Sequence, residues 1–198
     1  MAPRTNQKAR TRQAITDGCA ELLDEQSPTT IDDIAAHTGI SRATIYRYFA
    51  SSSDIVWHVM SDREIESSES VATAAGPDPL DRIVAAEKAV NDYIFANPTS
   101  VRQFEASVVQ RVLDGTADAD DRPARRLRYI DAALEPLVGE LDDTALRRLR
   151  HGLALALGTE AFIALVDTCR LDDDDARATA AWVCRALVTQ AMADAPTP

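Results

Sequence analysis

Aromatic residues make up only 5% of this 198-residue chain, and no stretch alternates apolar and polar side chains for the length of a strand. Both scarcities weigh against a β-sheet, whose strands favour aromatic and β-branched residues in a period of two. Cysteine is sparse as well: Cys19, Cys169 and Cys184 lie far apart, each inside a helical apolar pattern. An odd, scattered set builds neither a disulfide framework nor a zinc site, and His37, His58 and His151 add no metal-ligand spacing. Long hydrophobic runs are missing too. The most apolar stretch, "GLALALGTEAFIALV" (Gly152 to Val166), carries Glu160 and is too short to span a bilayer. The basic N-terminus (Arg4, Lys8, Arg10, Arg12) leads into Asp17, Glu21 and Asp24 instead of the apolar core of a signal peptide. These absences predict a cytoplasmic protein without membrane contact, metal or cofactor. A Ser/His/Asp order, a paired-carboxylate context and a Gly-rich phosphate loop are also absent, so no enzyme is expected and no catalytic residue is assigned.

What the chain does contain is Ala, Leu and Arg in quantity, all good helix formers. Hydrophobic residues are 45% and charged residues 27%, the balance of a globular protein. An all-α fold of about nine helices follows. The first runs from near Thr5 to Glu25, and Pro28 forbids its continuation. Two short helices come next, and a fourth runs from after Ser53 towards Ser70. Gly76 and two prolines mark a boundary before helices over Leu80 to Ala96 and Thr99 to Leu113. Asp114 to Pro123 reads as a mobile polar loop. A seventh helix spans Ala124 to Glu140, kinked or cut short by Pro136. Two long ones, Thr144 to Cys169 and Asp173 to Ala193, close the chain.

Charge is unevenly spread. Residues 1–50 hold six of the 21 basic and six of the 32 acidic groups, so the net charge of −11 belongs wholly to the remainder. A neutral head with cations at its N-terminus and at Arg42 and Arg47 can approach phosphate, whereas the acidic body is repelled, which orients the molecule.

The stretch "TTIDDIAAHTGISRATIYRYF" (Thr29 to Phe49) carries the chemistry. Thr30 caps the second helix, with Asp33 in the capping-box position, and Gly39 suits a left-handed stop. Ser41 caps the third helix. On that helix Ile45 and Phe49 form a buried pair, while Ala43, Thr44, Arg47 and Tyr48 fall on the opposite side, flanked by Arg42 and Tyr46. Two short helices around a glycine, the second with a donor-rich outer face, form the helix-turn-helix that enters a DNA major groove. Arg42 and Arg47 suit guanine edges or phosphate, Thr44 suits thymine, Tyr46 and Tyr48 suit phosphate oxygens, and Ala43 permits close approach. Backbone amides at Thr30 add a phosphate contact.

Residues Thr30 to Phe49 resemble the DNA-binding domain of the TetR family of bacterial transcriptional regulators. The likeness lies in the pattern T-I-x-x-I-A-x-x-x-G-I-S-x-x-T-I-Y-x-Y-F and covers about a quarter of the chain. It implies an N-terminal three-helix DNA reader (residues 1–52) and a helical ligand-binding and dimerisation domain (residues 53–198). The implied function is that of a regulator, most often a repressor, which binds a palindromic double-stranded operator as a homodimer and is released by a small-molecule effector. One departure is Ser52, at the position where members usually carry a phosphate-binding Lys. Its loss should make the salt slope shallower by about one phosphate contact, and the N-terminal cations can compensate. A small-molecule-binding or sequestering protein of the same fold, with weakened operator recognition, is the alternative.

For the body, the last two helices are apolar nearly all round, which predicts a two-fold interface between copies through Leu157, Ala161, Leu165, Trp182 and Leu187. A small hydrophobic or aromatic effector would be lined by Trp57, Tyr93, Phe104, Glu105, Tyr129 and Phe162, with Phe95 and His151 as further candidates.

Overall fold

In the computed structural model, residues 3–62, 66–116 and 125–195 are described. They form eleven α-helices and, as expected from the composition, no strand. The helices are α1 (Pro3–Asp24), α2 (Ile31–Thr38), α3 (Arg42–Tyr46), α4 (Ser52–Asp62), α5 (Ser68–Ala75), α6 (Pro79–Ala96), α7 (Pro98–Leu113), α8 (Arg125–Leu134), α9 (Asp143–Ala156), α10 (Thr159–Ile163) and α11 (Asp173–Ala193).

Three expected helices are divided. The run expected from Ser53 to Ser70 becomes α4 and α5, because Ser67 leaves helical geometry and caps a new start by accepting from the Ser70 amide. Pro136 ends α8 early, leaving one 3-10 turn over Glu135–Leu137. The long helix expected from Thr144 to Cys169 breaks at Gly158, whose φ is 117°. The two parts are bent by 49°, and the second runs into a π-type turn over Ala164–Thr168. Most of the loop expected to be mobile lies outside the described residues.

The chain folds into two compact units. The first comprises residues 1–64 and 97–123, so it contains α1 to α4 together with α7. Its core is Ile15, Cys19, Leu23, Ile34, Ile45, Phe49 and Ile55, all at most 2% exposed. Burial pushes the Cys19 thiol up to about 12, so it behaves as a small apolar side chain. The second unit, residues 65–96 and 124–198, packs α6 between α5, α8, α10 and α11, with α9 against α8 and α11. No single described helix is long and apolar enough to cross a membrane.

Candidate nucleic-acid interface

Local sequence sets the geometry of α2 and α3. Thr30 accepts from the Asp33 amide at 3.2 Å, and the Asp33 carboxylate accepts from the Thr30 amide at 3.1 Å, closing the capping box. A cap of this kind contributes about 1 kcal/mol. At the other end Gly39 adopts φ 68°, a conformation that costs a side-chain-bearing residue roughly 1–2 kcal/mol. Ser41 then accepts from the Thr44 amide at 3.3 Å, and its hydroxyl donates to Thr44 Oγ1 at 3.0 Å. Thr44 thus has its acceptor engaged and its own proton left to donate outward.

Five residues cannot hold a helix by themselves, so α3 depends on its buried side. Ile45 is fully buried and Phe49 is 2% exposed. Outward stand Arg42, Ala43, Tyr46 and Arg47, all exposed, with Thr44 and Tyr48 half-buried. Arg47 lies over the Tyr48 ring at 5.4 Å. The Thr11 hydroxyl first, helped by Arg47 and Lys8, holds the Tyr48 phenol below its ordinary pKa against the opposing effect of burial. Arg42 pairs with Asp32 of α2 at 3.0 Å, both well exposed, so this contact can exchange for another anion at little cost.

Two clefts flank the helix-turn-helix. One, of about 310 Å³, is lined by Lys8, Ala9, Arg12, Arg47 and Tyr48; three cations and a phenol converge there. The other, of about 260 Å³, brings Thr30 at the start of α2 beside Ser52 and Ser53 at the start of α4, over Pro28, Thr29, Val56, Gln103 and Ala106. It collects amide donors and hydroxyls, the groups that bind phosphate at helix starts.

Two clamps that the sequence reading missed fix this frame. Arg12 of α1 lies over the Phe49 ring at 4.2 Å and donates to the Tyr48 carbonyl at 3.3 Å and to His58 Nε2 at 3.0 Å. From α7, Ser100 donates to the Leu23 carbonyl at 2.5 Å and Gln103 to the Ser27 carbonyl at 3.0 Å. Thr29 donates to Gln103 at 2.9 Å. Gln26, in the left-handed region at φ 54°, bonds Asn97 and Ser100 and accepts from the Thr99 amide at 2.9 Å. The turn entering α2 is therefore shaped by residues more than seventy positions away, which no local pattern announces.

The six residues expected to line an effector site fall in both units. Trp57 and Phe104 stack at 5.8 Å in the first, with Arg111 over Trp57 at 4.9 Å and bonded to Asp54 at 2.8 Å; Glu105 is half-buried on the same helix as Phe104. Tyr93, Tyr129 and Phe162 belong to the second. Tyr129 is buried and donates to the Glu66 carbonyl, and burial, then the Glu66 charge, raises its pKa. Phe162 meets Phe95 edge to face at 5.0 Å. His151 is exposed.

Of the residues expected at a two-fold interface, Leu157 is fully buried within its own chain and so presents nothing to a partner. Ala161 is nearly buried, and Leu165 and Leu187 are half-buried. Trp182 on α11 is 65% exposed and Leu155 on α9 is 79% exposed. Leu155, three residues before the break at Gly158, takes the outward position that the sequence pattern had given to Leu157.

Residues 15–57 match the family model of bacterial regulatory proteins, tetR family. No curated protein matches the chain. Among solved structures, a TetR transcriptional regulator from Rhodococcus sp. RHA1 is similar over 92% of this chain and 98% of its own, with a TM-score of 0.55 at 20% identity. Residues 15–57 are thus a helix-turn-helix domain of the tetR family of bacterial regulatory proteins, carried on an all-α fold similar to that regulator's.

Proposed function

We propose that this protein is a ligand-responsive transcriptional repressor, a homodimer that reads a palindromic operator with α3 of each subunit and is released by a small hydrophobic effector. The observation that carries the reading is the exposed face of α3, where Arg42, Ala43, Thr44, Tyr46, Arg47 and Tyr48 stand outward from a helix held at both ends and along its buried side. Arg47 and Thr44 are assigned to base edges, and Arg42, Tyr46 and Tyr48 to the groove margins and phosphates. Thr30, Ser41 and Ser52 add phosphate contacts from helix starts, and Lys8 and Arg12 supply the charge that Ser52 does not. Residues 1–52 act as the reading head, and residues 53–198 bind effector and dimerise.

Leu155, Ala161, Leu165, Trp182 and Leu187 on the last helices are assigned to the dimer contact. A two-fold pair sets the two α3 helices about 34 Å apart, one turn of DNA. Tyr93, Tyr129 and Phe162 are assigned to the effector site in the second unit. Trp57 and Phe104 are read as packing under Arg111, where Arg111 and Asp54 tie α7 to α4.

Fluorescence anisotropy against DNA flanking the protein's own gene, across salt concentrations, tests the reading. The wild type should select one fragment, and Arg47→Ala and Tyr48→Ala should lose that selection. Equal, weak binding of every fragment by all three proteins would refute operator recognition.

A further inference from the structure

The buried face of α6 carries a carboxyl and an amide that packing alone does not call for. Glu87 and Asn91, one helical turn apart, are 5% and 3% exposed. Asn91 Nδ2 donates to Glu87 Oε1 at 2.6 Å, while the buried Asn91 Oδ1 meets no donor. A buried carbonyl without a partner is destabilising, and two apolar residues of the same shape would serve packing as well or better.

The surroundings compensate the pair's charge only in part. Burial raises the Glu87 pKa; the Asn91 bond and Arg177 lower it, Asp92 raises it, and Arg185 lowers it. Arg177 is committed elsewhere, donating to Asp92 at 2.7 Å and lying over the Phe95 ring at 4.3 Å. Arg185 is exposed on α11. Cys184, also on α11, has its thiol pushed up to about 12, by burial first and then by the Glu87 charge.

One turn beyond Asn91 on the same line of α6 stands Phe95, edge to face with Phe162 of α10. That short helix lies between the break at Gly158 and the π-type turn over Ala164–Thr168. Turns of this kind recur at functional sites, because they give the backbone an irregularity that regular packing would remove.

We propose that Glu87 and Asn91 are the polar anchor of the effector site, and that the effector carries a protonated nitrogen on an apolar or aromatic body. The nitrogen donates to Asn91 Oδ1 and to the Glu87 carboxylate, and Phe95 and Phe162 receive the apolar part. An anion is repelled by the carboxylate, and a plain hydrocarbon leaves the amide oxygen unmet. The inference rests on the ligand-responsive reading and gives that site its chemistry. It also has a proton signature. A cation favours the ionised form of a carboxyl whose pKa is raised in the free protein, so binding releases a proton and affinity rises with pH through the Glu87 titration.

Titration calorimetry of the full chain with 2-phenylethylammonium and 1-naphthylmethylammonium, beside 3-phenylpropionate and propylbenzene, tests it. The ammonium ions should bind at least about tenfold more tightly than the other two. Glu87→Gln should weaken them about 10- to 100-fold, the loss of one charge-assisted hydrogen bond. Repeating the titration in buffers of different ionisation enthalpy should show proton release that Glu87→Gln lacks. The double variant Glu87→Leu with Asn91→Leu should abolish ammonium binding while keeping or raising Tm, since both buried polar side chains give way to apolar ones and neither is left unpaired. Absence of ammonium binding, binding indifferent to Glu87→Gln, or a lowered Tm in the double variant would overturn the anchor. Operator release by the anionic or neutral probe, equal in wild type and Glu87→Gln, would overturn the anchor and leave the ligand-responsive reading standing. Glu87-dependent ammonium binding that never alters operator affinity would keep the anchor as a binding site and overturn its regulatory role.

Discussion

Arg12 is where the head is most economically tested. Replacing it by Met keeps an unbranched apolar stem over Phe49 and removes the guanidinium. Three contacts go with it: the cation over the Phe49 ring at 4.2 Å, the bond to the Tyr48 carbonyl at 3.3 Å and the bond to His58 at 3.0 Å. A partly exposed cation–π contact contributes about 0.5–1 kcal/mol. The longer bond, to a carbonyl that water can reach, is worth about 0.5 kcal/mol, and the one to His58 about 1 kcal/mol. Together they come to about 2 kcal/mol. For a protein of this length that lowers Tm by about 4–8 °C. Arg12→Lys keeps the charge but not the fork, and should recover about half. Thermal unfolding followed by circular dichroism reads both. A Tm for Arg12→Met within about 1 °C of wild type would refute the claim that α1 holds the far end of α3 through this side chain.

Two further outcomes follow from single residues. At Gly39 an added Cβ meets nothing within 4 Å while φ is 68°, so Gly39→Ala should cost about 1 kcal/mol from backbone strain alone; Gly39→Asn should cost less, and equal Tm losses would count against that account. Trp182, 65% exposed on α11, is assigned to the dimer contact; Trp182→Glu should therefore shift the mass measured by light scattering from dimer to monomer without loss of helix signal, and a mass unchanged by the substitution would remove Trp182 from the interface.

The features legible in the sequence are those whose cause is local. Thr30 with Asp33, Gly39 and Ser41 each act within four residues, so caps and turn were readable and the outer face of α3 followed from its period. Pro136 stopped α8 for the same reason. The misreadings also have causes. Ser67 to Ser70 suited either a helix interior or a helix start, and only the bond from the Ser70 amide to Ser67 decides it. Gly158 lay in an apolar run that gave no hint of a break, yet the guanidinium of Arg126 fills the space a Cβ there would need, at 2.8 Å. Gly18 lies inside α1; a Cβ there would come within 2.2 Å of Thr38, so its bareness lets α2 lie close. The candidate interface was thus largely visible beforehand, whereas the clamps from Arg12, Gln26 and Gln103 and the buried pair Glu87 and Asn91 depend on which helices become neighbours.

The discontinuity of the first unit has a consequence for how the protein is made. Its chain leaves after residue 64 and returns at residue 97 to supply α7, the helix that bonds the turn before α2. On a ribosome adding about 5–20 residues per second, the helix-turn-helix emerges seconds before the element that steadies it. The loop between is closed at modest entropic cost, since that cost grows only with the logarithm of length. A nascent chain stopped short of Pro98 would thus display α3 without the bonds from Ser100 and Gln103, and a fragment ending at residue 52 would remain in that unfinished condition permanently. DNA reading matures with the delayed arrival of α7 rather than with the completion of its own motif.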